Sequence, residues 1–205
     1  MGDTGFWWVL LSLVLYGALH SLLASMPVKR LFGRVFGVKF VQKYYRLFFS
    51  LVGGFTFLVV LALAALLPNS VIYTMPRIWS LFAMGVQALA ITGLIYGVLQ
   101  TGLGAFIGLA QLLNPDLGDH PGMIERGLYR YVRHPLYTLS ILFIWLTPVL
   151  TWNALALNIG VTLYMVIGSY FEERKLLDAF GEEYAGYRQR TPMLVPGLKA
   201  RKATV

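Results

Sequence analysis

The chain has 205 residues, of which 58% are hydrophobic and 13% charged, with no cysteine and a formal net charge of +8. An ordinary soluble domain carries about 25% charged residues, so a water-soluble protein of this composition would expose large apolar patches. The composition excludes a disordered chain, a disulfide scaffold, a cysteine nucleophile and a thiolate metal site, and the apolar content assigns the basic charge to a membrane rather than to nucleic acid.

A helix needs about 20 apolar residues to cross the hydrocarbon core. Phe6 to Ser25 offers the first crossing, with His20 its only titratable group. Leu47 to Leu67 offers the second and stops at Pro68, and Ile78 to Leu99 the third, after Pro76. Leu136 to Phe171 then runs for 36 residues without a formal charge. That is too long for one crossing, and Pro148 followed by Thr151-Trp152-Asn153 supplies a break. The reading is an all-α integral membrane protein with five transmembrane helices, the last two a tight helical hairpin, followed by a cytoplasmic helical segment. The first segment lacks the basic flank and small-residue cleavage site of a signal peptide.

Charge fixes the expected orientation. Lys29, Arg30, Arg34, Lys39, Lys43 and Arg46 lie between the first two crossings with no acid among them. Arg126, Arg130 and Arg133 precede the fourth, the C-terminal tail is basic, and the N-terminus offers only Asp3. The positive-inside rule puts the N-terminus outside and the C-terminus in the cytoplasm. Residues 1–115 read as a membrane scaffold with three crossings, and 116–205 as the catalytic part of what is one domain overall, because every acid beyond Asp3 lies in that second stretch. Leu103 to Leu113 is apolar but too short to span, which suits an interface or a cavity mouth.

Two clusters carry chemistry, one at each end of the hairpin. In Tyr129-Arg130-Tyr131-Val132-Arg133-His134-Pro135-Leu136-Tyr137, Pro135 suits the first position of a helix. Arg133 and His134 then stand beside unpaired N–H groups that attract an anion such as a carboxylate. As plain interfacial anchors these residues would be equally at home. After the fifth crossing comes Glu172-Glu173, two carboxylates where an anchor would use Lys or Arg. Helices of a hairpin return to the same side, so the basic and acidic clusters should meet, either as a structural ion-pair network or as a receptor for a zwitterion. Gly181 can end a helix, and Tyr184 and Tyr187 share a face of the following segment. That segment either folds back over the site or stays solvated. His20 and Gln87 are polar groups at membrane depth, where a bond to a neighbouring helix is usual. Gly85, Ala88, Ala90, Gly93 and Gly97 give the third crossing a surface for close helix approach. No metal-ligating spacing and no glycine-rich phosphate loop is present.

Taken together, Arg133-His134-Pro135-x-Tyr137, a hairpin, Glu172-Glu173-x-x-Leu176, Phe180-Gly181-x-x-Tyr184-x-x-Tyr187 and a Pro-ended tail resemble the isoprenylcysteine carboxyl methyltransferase family, whose signature phospholipid methyltransferases share. The front half, with His20-Ser21-Leu22-Leu23-Ala24-Ser25 and Tyr45-Arg46-Leu47, is similar to NnrU-type bacterial membrane proteins of the same superfamily. A VPKSID-like stretch, carried near its start by a related thiol-methylating branch, is absent from the sequence.

The resemblance implies S-adenosylmethionine as methyl donor and S-adenosylhomocysteine as product. It places Arg133, His134, Pro135, Tyr137, Glu172, Glu173 and Leu176 at the donor, and no metal; Tyr129, Tyr137 and Tyr184 offer aromatic faces to its cation. Arg133 or Arg188 would hold a carboxylate acceptor, and Glu172 or Glu173 would take a proton from a thiol or amine. The implied partners are membrane lipids and a lipophilic or small acceptor rather than nucleic acid, and the implied location is a bacterial inner membrane. Two other readings remain: a non-catalytic NnrU-type factor with a partner on residues 29–46, and an NADPH-dependent enzyme like the sterol reductases.

Overall fold

A computed structural model describes residues 4–115 and 122–198. Asp3, Lys199, Arg201 and Lys202, on which part of the orientation reading rests, lie outside them. The protein is an all-α membrane protein in outline. Helices α1 (Phe6–Leu23), α3 (Val38–Leu66), α4 (Arg77–Thr101) and α8 (Trp152–Arg190) are each long and apolar enough to cross a membrane. Between them lie α2 (Met26–Phe36), β1 (Val71–Thr74), α5 (Leu103–Ile107), α6 (Leu109–Leu113), a 3-10 turn at Gly127–Arg130, α7 (Pro135–Trp145) and β2 (Val149–Thr151).

The expected crossings at Phe6–Ser25 and Ile78–Leu99 match α1 and α4 to within about two residues, and the one at Leu47–Leu67 falls inside α3, which begins earlier, at Val38. The fourth differs. Helix α7 is only 11 residues long, about 16 Å at 1.5 Å per residue, roughly half the hydrocarbon thickness. Leu146 leaves the helical region, and the chain becomes extended through Pro148 into β2. Helix α8 spans 39 residues but is broken at Gly181; its part before the break, at 1.5 Å per residue, is about 44 Å long and exceeds that thickness by roughly half. Its apolar stretch ends at Phe171, so the turns from Glu172 onward project beyond it. Gly181 has a φ of 52° and kinks the helix there; a side-chain-bearing residue would be strained in that conformation.

The chain forms two compact units. The first contains residues up to Thr74, Gly102–Pro121 and Val149–Gly160; the second contains Met75–Thr101, Gly122–Pro148 and Val161 onward. Within the first unit, α1 and α2 pack on α3. Strand β1, which no residue pattern announces, pairs antiparallel with β2 and adds a short ladder to the all-α outline. Beside it Asn153, fully buried, donates from Nδ2 to the carbonyls of Ala64, Leu67 and Pro68 at 3.1–3.3 Å. These are carbonyls that the end of α3 leaves without helical partners. Thr151 caps α8 in turn, its Oγ1 accepting from the Ala154 N–H at 3.2 Å. The Leu103 to Leu113 stretch forms α5 and α6, which meet at Gly108. There a Cβ would fall 2.4 Å from the Leu47 nitrogen, so only glycine allows the close approach to α3.

Within the second unit, α4 lies against α7. Gly93 and Gly97 face Leu139 and Leu136, and a Cβ on either glycine would come within 2.8 Å of those leucines. The expected small-residue contact is therefore real at these two positions. Gly85, by contrast, faces open space.

Candidate functional site

The hairpin brings the two clusters together. Near its turn, Trp145 Nε1 donates to Thr162 Oγ1 at 2.9 Å. At the other end, Tyr137 OH donates to Glu172 Oε2 at 3.1 Å, and Arg133 reaches Glu173. These pairs advance along α7 as they retreat along α8, as antiparallel neighbours must.

Local sequence prepares the mouth. Pro135 opens α7 with His134 at its N-cap, which puts His134 and Tyr137 on the same first turn. Their rings stack, with centroids 5.4 Å apart and planes within 8°. The preceding 3-10 turn is held by Gln100 of α4, which accepts from the Leu128 N–H at 3.3 Å and donates to the Arg126 carbonyl at 3.4 Å. Gly127, at φ 63°, lies so close to Gln100 that a Cβ would meet its amide at 1.9 Å.

Arg133 is the hub. Its Nε and Nη2 lie 2.7 and 2.6 Å from Glu173 Oε1, with both side chains only 8% exposed. Its Nη1 donates to the carbonyls of Arg188 and Thr191 at 3.0 and 2.5 Å. The guanidinium thus serves the end of α8 and Glu173, not the open part of the site where an acceptor-holding role would place it. The backbone reinforces this. The Arg133 and His134 N–H groups donate to the Pro192 and Met193 carbonyls at 2.9 and 3.1 Å, and Thr138 Oγ1 donates to the Leu194 carbonyl at 2.6 Å. The tail beyond α8 is strapped along the start of α7, so the expected fold-back is observed. Arg190 pairs with Glu125 on the same face.

The two glutamates differ. The Glu173 side chain is buried beside Arg133, whereas the Glu172 side chain is 48% exposed. Burial alone raises the Glu173 pKa, but its contacts with His134 and Arg133 and their charge outweigh that and hold the carboxyl below the ordinary carboxylate value. Tyr129 is pushed up to about 12 by burial, with the Glu172 charge adding to it.

Two buried polar atoms of this cluster have no hydrogen-bond partner among the described residues. His134 Nε2 stands 3.4 Å from Glu173 Oε1, close enough to feel its charge but out of line for a bond, and Tyr184 OH has no partner although Tyr184 is 1% exposed. Tyr184 lies in the field of Glu173, Arg133, Glu172 and Arg188. Orphaned buried groups are uncommon and costly, and two of them stand here beside the buried Arg133–Glu173 pair.

Among the sequence-predicted residues, the structure gathers Arg133, His134, Pro135, Tyr137, Glu172, Glu173 and Tyr184 in the second unit. Leu176 follows one turn along α8, half-buried. Tyr129 joins through its carbonyl, which accepts from Tyr187 OH at 2.6 Å. Arg188 is half-buried, and its carbonyl rather than its guanidinium makes the recorded contact. Thr138, Thr191 and Gln100 were missed; only the Thr191-Pro192 helix stop hinted at any of them. His20 belongs to the first unit, where it packs on Phe49 with ring centroids 4.4 Å apart and fits against Gly53.

Comparison with known proteins adds the following. The profile of the phospholipid methyltransferase family matches residues 77–183, just over half of the chain. Methanethiol S-methyltransferase 1 of Bradyrhizobium diazoefficiens is 40% identical over 92 residues, 43% of this chain and 32% of the relative. Methanethiol S-methyltransferase 2 of the same organism is 46% identical over 77 residues, 38% of this chain and 30% of the relative. Methanethiol S-methyltransferase of Mycobacterium tuberculosis is 44% identical over 69 residues, 34% and 28% of the respective chains. Each match therefore spans about a third or less of the relative's length. No solved structure matches.

Proposed function

We propose, from the premise that the chain belongs to the phospholipid methyltransferase family, that it is a membrane methyltransferase that takes its methyl group from S-adenosylmethionine. The observation that carries this reading is the buried cluster of Arg133, His134 and Glu173, with Tyr184 OH and His134 Nε2 left without hydrogen bonds. The donor, when bound, supplies an already activated methyl group on a sulfonium, and its polar parts suit these residues. His134 at the helix mouth fits a carboxylate. The outer oxygens of Glu172 fit an ammonium or a ribose diol. The faces of Tyr129 and Tyr137 suit a cation, at about 0.5–2 kcal/mol each, and Leu176 suits the adenine. Arg133 and Glu173 hold the frame rather than the ligand, because their charges are spent on each other and on the tail.

Methyl transfer then requires alignment more than covalent chemistry, and proximity can supply roughly 7–11 kcal/mol. Among carboxylate, thiol and amine acceptors, a small thiol is favoured, because the relatives named above are methanethiol S-methyltransferases. Its proton would pass to Glu172, the carboxylate that stays exposed. Arg188, half-buried near the end of α8, would hold an acceptor carboxylate instead if the thiol assignment fails. The five-crossing topology, with α7 as a short fourth crossing, the N-terminus outside and the C-terminus cytoplasmic in a bacterial inner membrane, is part of the same proposal. The charge distribution of the sequence supports it.

The test is titration calorimetry of the full chain in detergent with S-adenosylmethionine and S-adenosylhomocysteine, then with NADPH. Binding of the first two but not the third is expected, with a loss of about a hundredfold or more in His134→Ala. Unchanged affinity in that variant removes the assigned site. Absence of binding by the wild type favours a non-catalytic membrane factor.

A further inference from the structure

The six basic residues between 29 and 46 were read as a topology signal, and the structure separates them into two sets. Lys29 and Lys43 lie over the rings of Tyr45 and Tyr44, at 5.8 and 5.4 Å from their centroids. Arg46 lies 5.9 Å from the Phe49 ring and donates from Nε to the Phe106 carbonyl at 3.1 Å. Arg30, Arg34 and Lys39 are exposed and make no hydrogen bond, ion pair or ring contact among the described residues. The described residues of this unit contain no carboxylate to answer them.

Helix α2 sorts its residues sharply by face. At 100° per residue, Lys29, Arg30, Gly33 and Arg34 fall on one side, and Val28, Leu31, Phe32 and Val35 on the other. Phe32 packs on Tyr45 and Phe48 of α3. Leu31 and Val35, 55% and 65% exposed, continue that apolar face with nothing of the protein over them. The helix sits between the end of α1 at Leu23 and the start of the apolar part of α3 at Leu47, at the level where two membrane helices leave the hydrocarbon. A basic arc backed by an exposed apolar arc at that depth is the pattern of a helix lying in the interface. A soluble acidic partner would use the charges but leave Leu31 and Val35 in water.

We propose that α2, with the first turn of α3, is an anionic-lipid binding element. Leu31 and Val35 enter the acyl boundary, and Arg30, Arg34 and Lys39 take the phosphates of anionic phospholipid headgroups. The element belongs to the first unit, the proposed donor site to the second, and the proposal does not depend on the proposed activity. A cation near an anionic membrane surface shifts partitioning by about fivefold, so a selection of that order or greater is expected.

The test is spin-label electron paramagnetic resonance on the full chain reconstituted in phosphatidylcholine bilayers containing a trace of labelled phosphatidylglycerol or labelled phosphatidylcholine. The immobilised fraction should favour phosphatidylglycerol by about fivefold or more at low salt, and the preference should fall towards unity at molar salt. Arg30→Gln/Arg34→Gln/Lys39→Gln should abolish it, the charge-keeping Arg30→Lys/Arg34→Lys/Lys39→Arg should keep it, and Lys43→Gln should change it by less than twofold. No preference in the wild type overturns the proposal, as does a preference that survives the triple Gln change. The salt titration of the wild type decides the matter even where a variant fails to fold.

Discussion

The two units bury polar groups for different purposes. In the first, Asn153 and Tyr45 are neutral and spend their hydrogen bonds on backbone carbonyls; Tyr45 OH donates to the Leu23 carbonyl at 2.5 Å. In the second, the buried groups are Arg133, Glu173 and His134, which answer each other across two helices. A neutral side chain that closes a helix end costs little to bury, because its partner would otherwise be unsatisfied. A buried ion pair rarely stabilises more than an apolar pair of the same shape. Asn153 Oδ1 of the first unit is also without a partner, so it is the buried Arg133–Glu173 ion pair, and not the unbonded atoms alone, that sets the second unit apart and points to a ligand, whereas the Nδ2 bonds of Asn153 point to architecture.

The sharpest way to break this comparison is to remove Glu173. Glu173→Ala leaves the Arg133 cation buried without its partner, which costs about 3–5 kcal/mol, and donor affinity should fall about a hundredfold or more. Thermal unfolding and calorimetry measure the two losses. Asn153→Ala is the matching change in the first unit. It strips the carbonyls of Ala64 and Leu67 of the Asn153 amide, while Pro68 keeps the Gly5 N–H, and should cost about 1–3 kcal/mol while donor affinity stays within twofold. Equal damage to binding from both variants would mean that the units do not divide their roles as described.

The acid limb of stability sharpens the same contrast. Glu173 holds its proton less tightly in the folded protein than an ordinary carboxyl of pKa about 4.3 does. Its stabilising effect is thus complete above that value and is lost as pH falls through the lower folded pKa. Glu173→Gln should flatten the part of the stability curve below about pH 4.5 that the wild type shows, read from denaturant midpoints across pH. Asn153→Ala should shift the whole curve down without changing its slope.

Much of this was legible in particular residues. Pro148 marked the end of α7, Pro135 its start, and opposite charges at 133–134 and 172–173 announced a meeting that only an antiparallel hairpin could deliver. Gly93 and Gly97 signalled the close approach of α4 to α7. The ladder of Val71–Thr74 with Val149–Thr151 was not legible, since a three- or four-residue strand draws its stability from a partner distant in the chain. Helix α2 hid inside a run that charge counting treats as a loop. The least legible contacts are those of Arg133. Sequence shows a cation beside a helix mouth but not that the carbonyls of Arg188 and Thr191 fold back to claim it, because tail closure is a tertiary event with no local pattern.

Tyr184 gives the smallest and most discriminating effect. In the donor-free protein its hydroxyl is buried without a partner, which costs rather than stabilises. Tyr184→Phe keeps the ring and its edge-to-face contact with Tyr187, at 5.9 Å between centroids, and removes only that penalty. The variant should be as stable as the wild type or up to about 1 kcal/mol more stable. If the hydroxyl waits for a donor group, the same change should weaken S-adenosylmethionine binding by about three- to tenfold, a loss near 1 kcal/mol. Stability and affinity would then move in opposite directions, which no purely structural role for Tyr184 predicts. A variant that loses stability while keeping affinity would instead make Tyr184 a core residue and leave His134 as the orphaned polar group of the site.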